Sequence, residues 1–174
     1  MDRTTAARNE HFALVMSGGG ARAAFQVGVL RALARHRPEL PVGILTGTSA
    51  GAINAVHLAQ GRGTFAEAVE SLTEAWRSLT VDQVLTTAPS YLVGNVARWA
   101  ARLLSGGGEF APRTRGLVDT SPLRAFLHRT FDSTDGRLLG IRRNLDEGRL
   151  RAVAISSTNY ATAQSISWCE GTDV

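Results

Sequence analysis

The sequence predicts an α/β protein of three layers, α/β/α, with helices on both sides of a mostly parallel central sheet. Two observations carry that expectation. The apolar runs His11 to Met16 and Val42 to Leu45 each end in a glycine-bearing turn that opens into a helical pattern. A later strand-like run, Arg151 to Ser157, follows helical segments, and a turn region at Asn159 and Tyr160 separates it from another, Gln164 to Cys169; strands alternating with helices call for parallel pairing with crossovers.

The elements follow in order. Residues 1–10 are polar and lack the apolar core of a signal peptide, so they read as a tail before a single domain over 11–174, and a cytoplasmic location is the expectation. The run His11 to Met16 is apolar enough to be a strand covered on both faces. After Ser17-Gly18-Gly19-Gly20-Ala21-Arg22, a helix with Phe25, Val29, Leu30 and Leu33 on one side ends before Pro38. The strand from Val42 leads through Gly47-Thr48-Ser49-Ala50-Gly51 into a small-residue helix that Gly61 to Gly63 closes. Thr64 and Glu67 form a capping box for a helix whose apolar face is Phe65, Ala68, Val69, Leu72, Trp76 and Leu79.

Tyr91 to Leu104 has helical spacing with Trp99 and arginines. It suits packing on its own domain, or contact with a membrane surface or lipid site, and Gly106 to Gly108 follows as a link. Ser121-Pro122 caps and opens a helix with Leu123, Phe126, Leu127 and Phe131 facing inward. A short helix over Arg137 to Glu147 is closed by Gly148. Cys169, in the final strand, reads as a small buried apolar side chain.

Composition narrows the function. With 44% apolar and 20% charged residues the chain is of the globular class, and no apolar run reaches the length of a membrane span. All 19 cationic residues counted as Lys or Arg are arginine, which removes a P-loop lysine and a Schiff base. A net charge of +4 favours anionic surfaces, but the arginines are scattered without interleaved aromatics, so nucleic acid is not the expected partner. No Cys/His cluster has zinc spacing, and neither metal nor organic cofactor is expected.

The Gly47 to Gly51 stretch is G-x-S-x-G between a strand and a helix. A serine on so sharp a turn projects its hydroxyl, provided that small neighbours let strand and helix pass closely, which makes Ser49 the candidate nucleophile and Gly47 and Gly51 its elbow. The competing reading is a capping serine at a helix start. In a parallel sheet the Gly18 to Gly20 loop lies on the same edge as Ser49, so its amides are candidate oxyanion donors, with Arg22 as loop support or anion attractor. The same glycines fit a dinucleotide fingerprint, but the acid it needs at the end of the second strand is missing: that strand ends in Thr46-Gly47-Thr48-Ser49.

With Phe25 to Leu30, Asp119 to Leu123, Gly148 to Leu150 and Thr158-Asn159-Tyr160, the glycine loop and elbow resemble the N-terminal half of a patatin-like phospholipase domain. The resemblance covers about residues 11 to 170, with Ala23 where the family has glycine. It implies an acyl-ester hydrolase that acts on phospholipid or related lipids through a serine and an aspartate, with peripheral membrane contact open. The family's aspartate stands in an Asp-Gly motif that follows the Thr158 strand. Asp135-Gly136 precedes that strand and reads as a turn, which leaves the expected base beyond Val174 and the domain truncated at its C-terminal side. A natural domain that binds lipid without turnover is the alternative. His57 stands about 12 Å along its helix from Ser49, out of direct reach. His128 with Asp119 would require a different hydrolase order, and His11 and His36 sit at element ends.

Overall fold

The structure, a computed structural model, describes residues 12–84, 121–131, 133–159 and 162–172. The tail, the helix expected around Trp99, Gly106 to Gly108, Asp119 and Tyr160 lie outside the described residues. The chain divides into two compact units, residues 1–77 with 131–174, and residues 78–130. The second unit holds α4 (Val81–Val84) and α5 (Ser121–Thr130), whose Leu123, Phe126 and Leu127 are half-buried.

The first unit is a four-stranded sheet with helices, in the α/β class expected. Its elements are β1 (Phe12–Met16), α1 (Ala23–His36), β2 (Val42–Thr48), α2 (Ala50–Gln60) and α3 (Phe65–Ser78), then the two-residue strands β3 (Ser133–Thr134) and β4 (Arg137–Leu138), α6 (Leu139–Asp146), β5 (Ala152–Asn159) and β6 (Gln164–Gly171). Strand order is β1-β2-β5-β6, with β1, β2 and β5 parallel and β6 antiparallel to β5. Right-handed β-α-β crossovers are the standard way to build such a parallel arrangement.

One apolar cluster holds the unit together. Met16, Leu45 and Val153 from the strands meet Val27 and Leu30 of α1, Ala55 and Val56 of α2, Leu72 of α3 and Leu145 of α6. The capping box forms as expected: Thr64 N–H donates to Glu67 Oε2 at 2.8 Å and Glu67 N–H to Thr64 Oγ1 at 3.2 Å. The Thr64 backbone N–H, and after it the Thr64 hydroxyl, favour the ionised form and hold the Glu67 carboxyl below its ordinary value.

Several expectations are corrected. β1 is covered on one face only: Val15, 81% exposed, points away from the face on which Leu14 and Met16 meet the core, and Phe12, at the start of the strand, is exposed as well. In α1 the buried stripe is Ala23, Val27, Leu30 and Ala34, while Phe25 (78% exposed) and Val29 face outward. Phe25 is two residues from both Ala23 and Val27, which puts it about 200° around the helix from each. Cys169 is exposed, in register with Ala154 on the edge strand β6. β2 runs on to Thr48, and the helix expected from Arg137 begins at Leu139, since Arg137 and Leu138 pair with Ser133 and Thr134 across the Asp135-Gly136 turn.

Leu72, 2% exposed, anchors α3 in this cluster. Leu72→Ala is expected to lower unfolding free energy by about 2–5 kcal/mol, read as a shift in urea midpoint at unchanged slope.

Candidate active site

Ser49 is the hinge between β2 and α2, with φ 54° and ψ −124°, a positive φ that a side-chain-bearing residue adopts only under constraint. Such a conformation costs about 1–3 kcal/mol and persists only where the surroundings impose it. The surroundings do so through close backbone passage. A Cβ on Gly47 would fall on the backbone of Gly51 and Ala52, and a Cβ on Gly51 would fall on the carbonyls of Met16 and Ser17. The Ser49 carbonyl starts α2, accepting from Ala52 N–H at 3.0 Å and Ile53 N–H at 3.3 Å. Its hydroxyl makes no capping bond and has no hydrogen-bond partner among the described residues, and the residue is exposed. The hydroxyl is not spent on capping.

The glycine loop comes to the same place. β1 and β2 are parallel, with Met16 opposite Gly47, so the residues after Met16 and those after Gly47 leave the sheet at one edge. A Cβ on Gly18 would stand 3.2 Å from Ser49 Cβ and 3.9 Å from Ser49 Oγ. No loop or turn carbonyl accepts from the amides of Gly18, Gly19 or Gly20 among the described residues. Arg22 is exposed and without an ion pair among the described residues. It folds over the loop, its Nε 3.8 Å from where a Gly19 Cβ would stand. A free hydroxyl, the Gly18 backbone packed against it and the N-terminus of α2 beside it are the parts from which an acyl-transfer site is built.

The model of the family described as Patatin-like phospholipase matches residues 14–165, a stretch that contains both the loop and the elbow. The chain belongs to the patatin-like phospholipase family. No match was found among curated proteins or among solved structures.

In this patatin-like chain none of the other candidates is bonded to the Ser49 hydroxyl among the described residues. His57 Nε2 is 3.0 Å from Ser71 Oγ on α3, and its ring meets Phe131 edge-on at a centroid distance of 6.5 Å. Burial lowers its pKa below the ordinary histidine value. Asp135, at φ 51° before Gly136 at φ 76°, is the turn residue of the β3–β4 hairpin. His128 is exposed on α5, in the second unit. Among the described residues no group of three or more His, Cys, Asp or Glu could hold a metal ion, and no helix is long and apolar enough to cross a membrane.

Sequence reasoning missed the polar side chains that tie these elements together. Asn54, 0% exposed on α2, donates through Nδ2 to Ala23 O at 3.3 Å and to Gln26 Oε1 at 3.2 Å, and its Oδ1 accepts from Trp76 Nε1 at 2.8 Å. Gln26 Nε2 in turn donates to Ser17 O at 2.7 Å. Trp76 entered the sequence reading only as an apolar-face residue. A buried amide in an apolar helix was the available signal, since such a group needs partners. Asn144 plays a similar part at the other end of α2, where its Nδ2 donates to Ala59 O at 2.8 Å and Gly61 O at 2.9 Å.

Two expectations follow from the site. Gly51→Ala puts a methyl onto two backbone carbonyls that no rotamer change relieves, and is expected to cost about 3 kcal/mol, measured by denaturant unfolding. His57 is buried neutral with its pKa lowered, so the unfolded chain takes up the proton first as pH falls through the ordinary histidine value of 6.5, and stability drops on that descent. Melting temperature is expected to fall more steeply between pH 7.5 and 5 in the wild type than in His57→Gln.

Proposed function

We propose that Ser49 is the nucleophile of a lipid acyl hydrolase of phospholipase A type. Family membership puts the chain among lipid acyl hydrolases, whose substrates are lipids. The observation that carries the finer reading is the strained, exposed and unpartnered Ser49 hydroxyl beside the Gly18 backbone. Ser49 Oγ attacks the ester carbonyl carbon, and the carbonyl oxygen becomes an oxyanion that accepts hydrogen bonds from amides of Gly18 to Gly20. The proton of Ser49 passes to a base and returns to the departing lipid alkoxide. Water, deprotonated by the same base, then attacks the acyl-serine; the acyl bond to Ser49 Oγ breaks, fatty acid leaves and the proton returns from the base to Ser49 Oγ.

By the family resemblance, that base is the aspartate of an Asp-Gly motif that follows the Thr158 strand. A carboxylate bonded directly to the serine accepts its proton if its surroundings keep it basic enough. Arg22, exposed beside the loop, favours anionic head groups. A net charge of +4 favours peripheral contact with an anionic membrane surface from the cytoplasmic side, without nucleic acid as a partner and without metal or organic cofactor. One observation favours a second reading, a lipid-binding domain without turnover: Ser49 Oγ has no proton acceptor in contact among the described residues.

Labelling with a fluorophosphonate separates the two. The wild-type chain, Ser49→Ala and a chain extended past Val174 through an Asp-Gly segment are to be compared. The expected result is covalent labelling of the extended chain that Ser49→Ala abolishes. Folded proteins that give no Ser49-dependent labelling in any form, yet co-sediment with anionic phospholipid vesicles, would move the assignment to the non-catalytic domain.

A further inference from the structure

We propose that Trp76, Asn54 and Gln26 are positioning residues that aim the amide of Gly18 at the oxyanion position. This rests on the hydrolase reading above for its catalytic meaning, and on geometry alone for its mechanics.

The chain of donors runs one way. An indole N–H can only donate, so Trp76 Nε1, 2.8 Å from Asn54 Oδ1, fixes which end of the Asn54 amide is oxygen. The Asn54 NH2 group is thereby turned toward α1, where its two hydrogens find Ala23 O and Gln26 Oε1. Occupation of Gln26 Oε1 turns that second amide in the same sense, so Gln26 Nε2 faces Ser17 O at 2.7 Å. Each donation polarises the next group in the series. Asn54 is fully buried, so a wrong amide orientation would oppose like atoms with no water to separate them.

The last acceptor gives the chain its function. The carbonyl of Ser17 and the N–H of Gly18 belong to one planar trans peptide unit and point in opposite directions. A hydrogen bond that holds Ser17 O toward Gln26 therefore holds the Gly18 N–H away from it. Gly18 itself packs against Ser49, and Gly51 at the start of α2 abuts the Ser17 carbonyl from another side. The peptide that carries the first candidate oxyanion donor is thus gripped twice, by close packing from the elbow helix and by a bond from α1. Without the bond, the peptide before a glycine can rotate at little cost, and a donor that rotates must be reoriented during the reaction.

The test uses Gln26→Met, which keeps length and removes the donor, and Trp76→Phe, which keeps the ring and removes the N–H. Leu145→Ala serves as a comparison, because it truncates a buried core side chain on α6, which carries no member of the chain. The 15N order parameter of the Gly18 N–H in the folded protein is expected to fall in the first two variants from the rigid-backbone value of about 0.85 toward the flexible range below about 0.6. It should stay at the wild-type level in Leu145→Ala. Fluorophosphonate inactivation of the extended chain should show a lower limiting rate with an unchanged half-saturating concentration in the first two variants. A Gly18 order parameter that is unaltered in Gln26→Met and Trp76→Phe, or lowered equally in Leu145→Ala, would overturn the proposal. If Ser49 of the extended chain is never labelled, the hydrolase reading falls, and the order-parameter comparison still decides whether the chain holds the loop.

Discussion

The close passage of α2 over the ends of β1 and β2 is the constraint on which the site depends. Gly51 lies against the carbonyls of Met16 and Ser17, and Gly47 lies against Gly51 and Ala52. There is no room for a methyl at either place, and this contact forces the chain to reverse at Ser49 through a conformation it would otherwise avoid. The strain at Ser49, the exposure of its hydroxyl and its nearness to Gly18 are three results of one packing event. The energy that holds it comes from the apolar cluster beneath, where Ala55, Val56 and Leu58 of α2 are buried against strands and helices.

What could be read from the sequence was what is local. The turn from β2 into α2 at Ser49, the glycine run after β1 and the capping box are patterns of four to six neighbouring residues, and the structure has a sharp turn, a loop and a reciprocal pair of bonds at those positions. The parallel order of the first two strands followed from the short helical crossover between them. Directions were less legible than elements. Periodicity alone did not say that the inner stripe of α1 would include the small residues Ala23 and Ala34, leaving Phe25 outside. Apolar content did not say that β1 would be an edge strand with Val15 in solvent, or that Cys169 would lie exposed on the opposite edge. Those outcomes depend on which neighbours arrive from elsewhere in the chain.

The polar chain from Trp76 to Ser17 shows the same limit at the site. Its bonds join residues separated by 22, 28 and 9 positions, and no short motif contains them. Asn54 in particular sits in a helix whose other inward residues are apolar, where its side chain carries a polar cost unless every group is met. The fold meets them with one residue from each of two neighbouring helices and one backbone carbonyl, so three helices are registered against one another by a single amide.

The antiparallel β6 has a consequence for the path of the backbone. Gly171 is opposite Ala152, at the start of β5, whereas Asn159, at the other end of β5, is opposite Gln164. The polypeptide therefore leaves β6 at the amino ends of the parallel strands, on the far edge of the sheet from Ser49. An eight-residue strand is about 25 Å long, and that length separates the end of β6 from the end of the sheet at which β2 turns into Ser49. Thr48, next to the serine, is in register with Ser156, and Ser156 with Ser167, so the part of β6 that stands level with Ser49 is its first half and not its end.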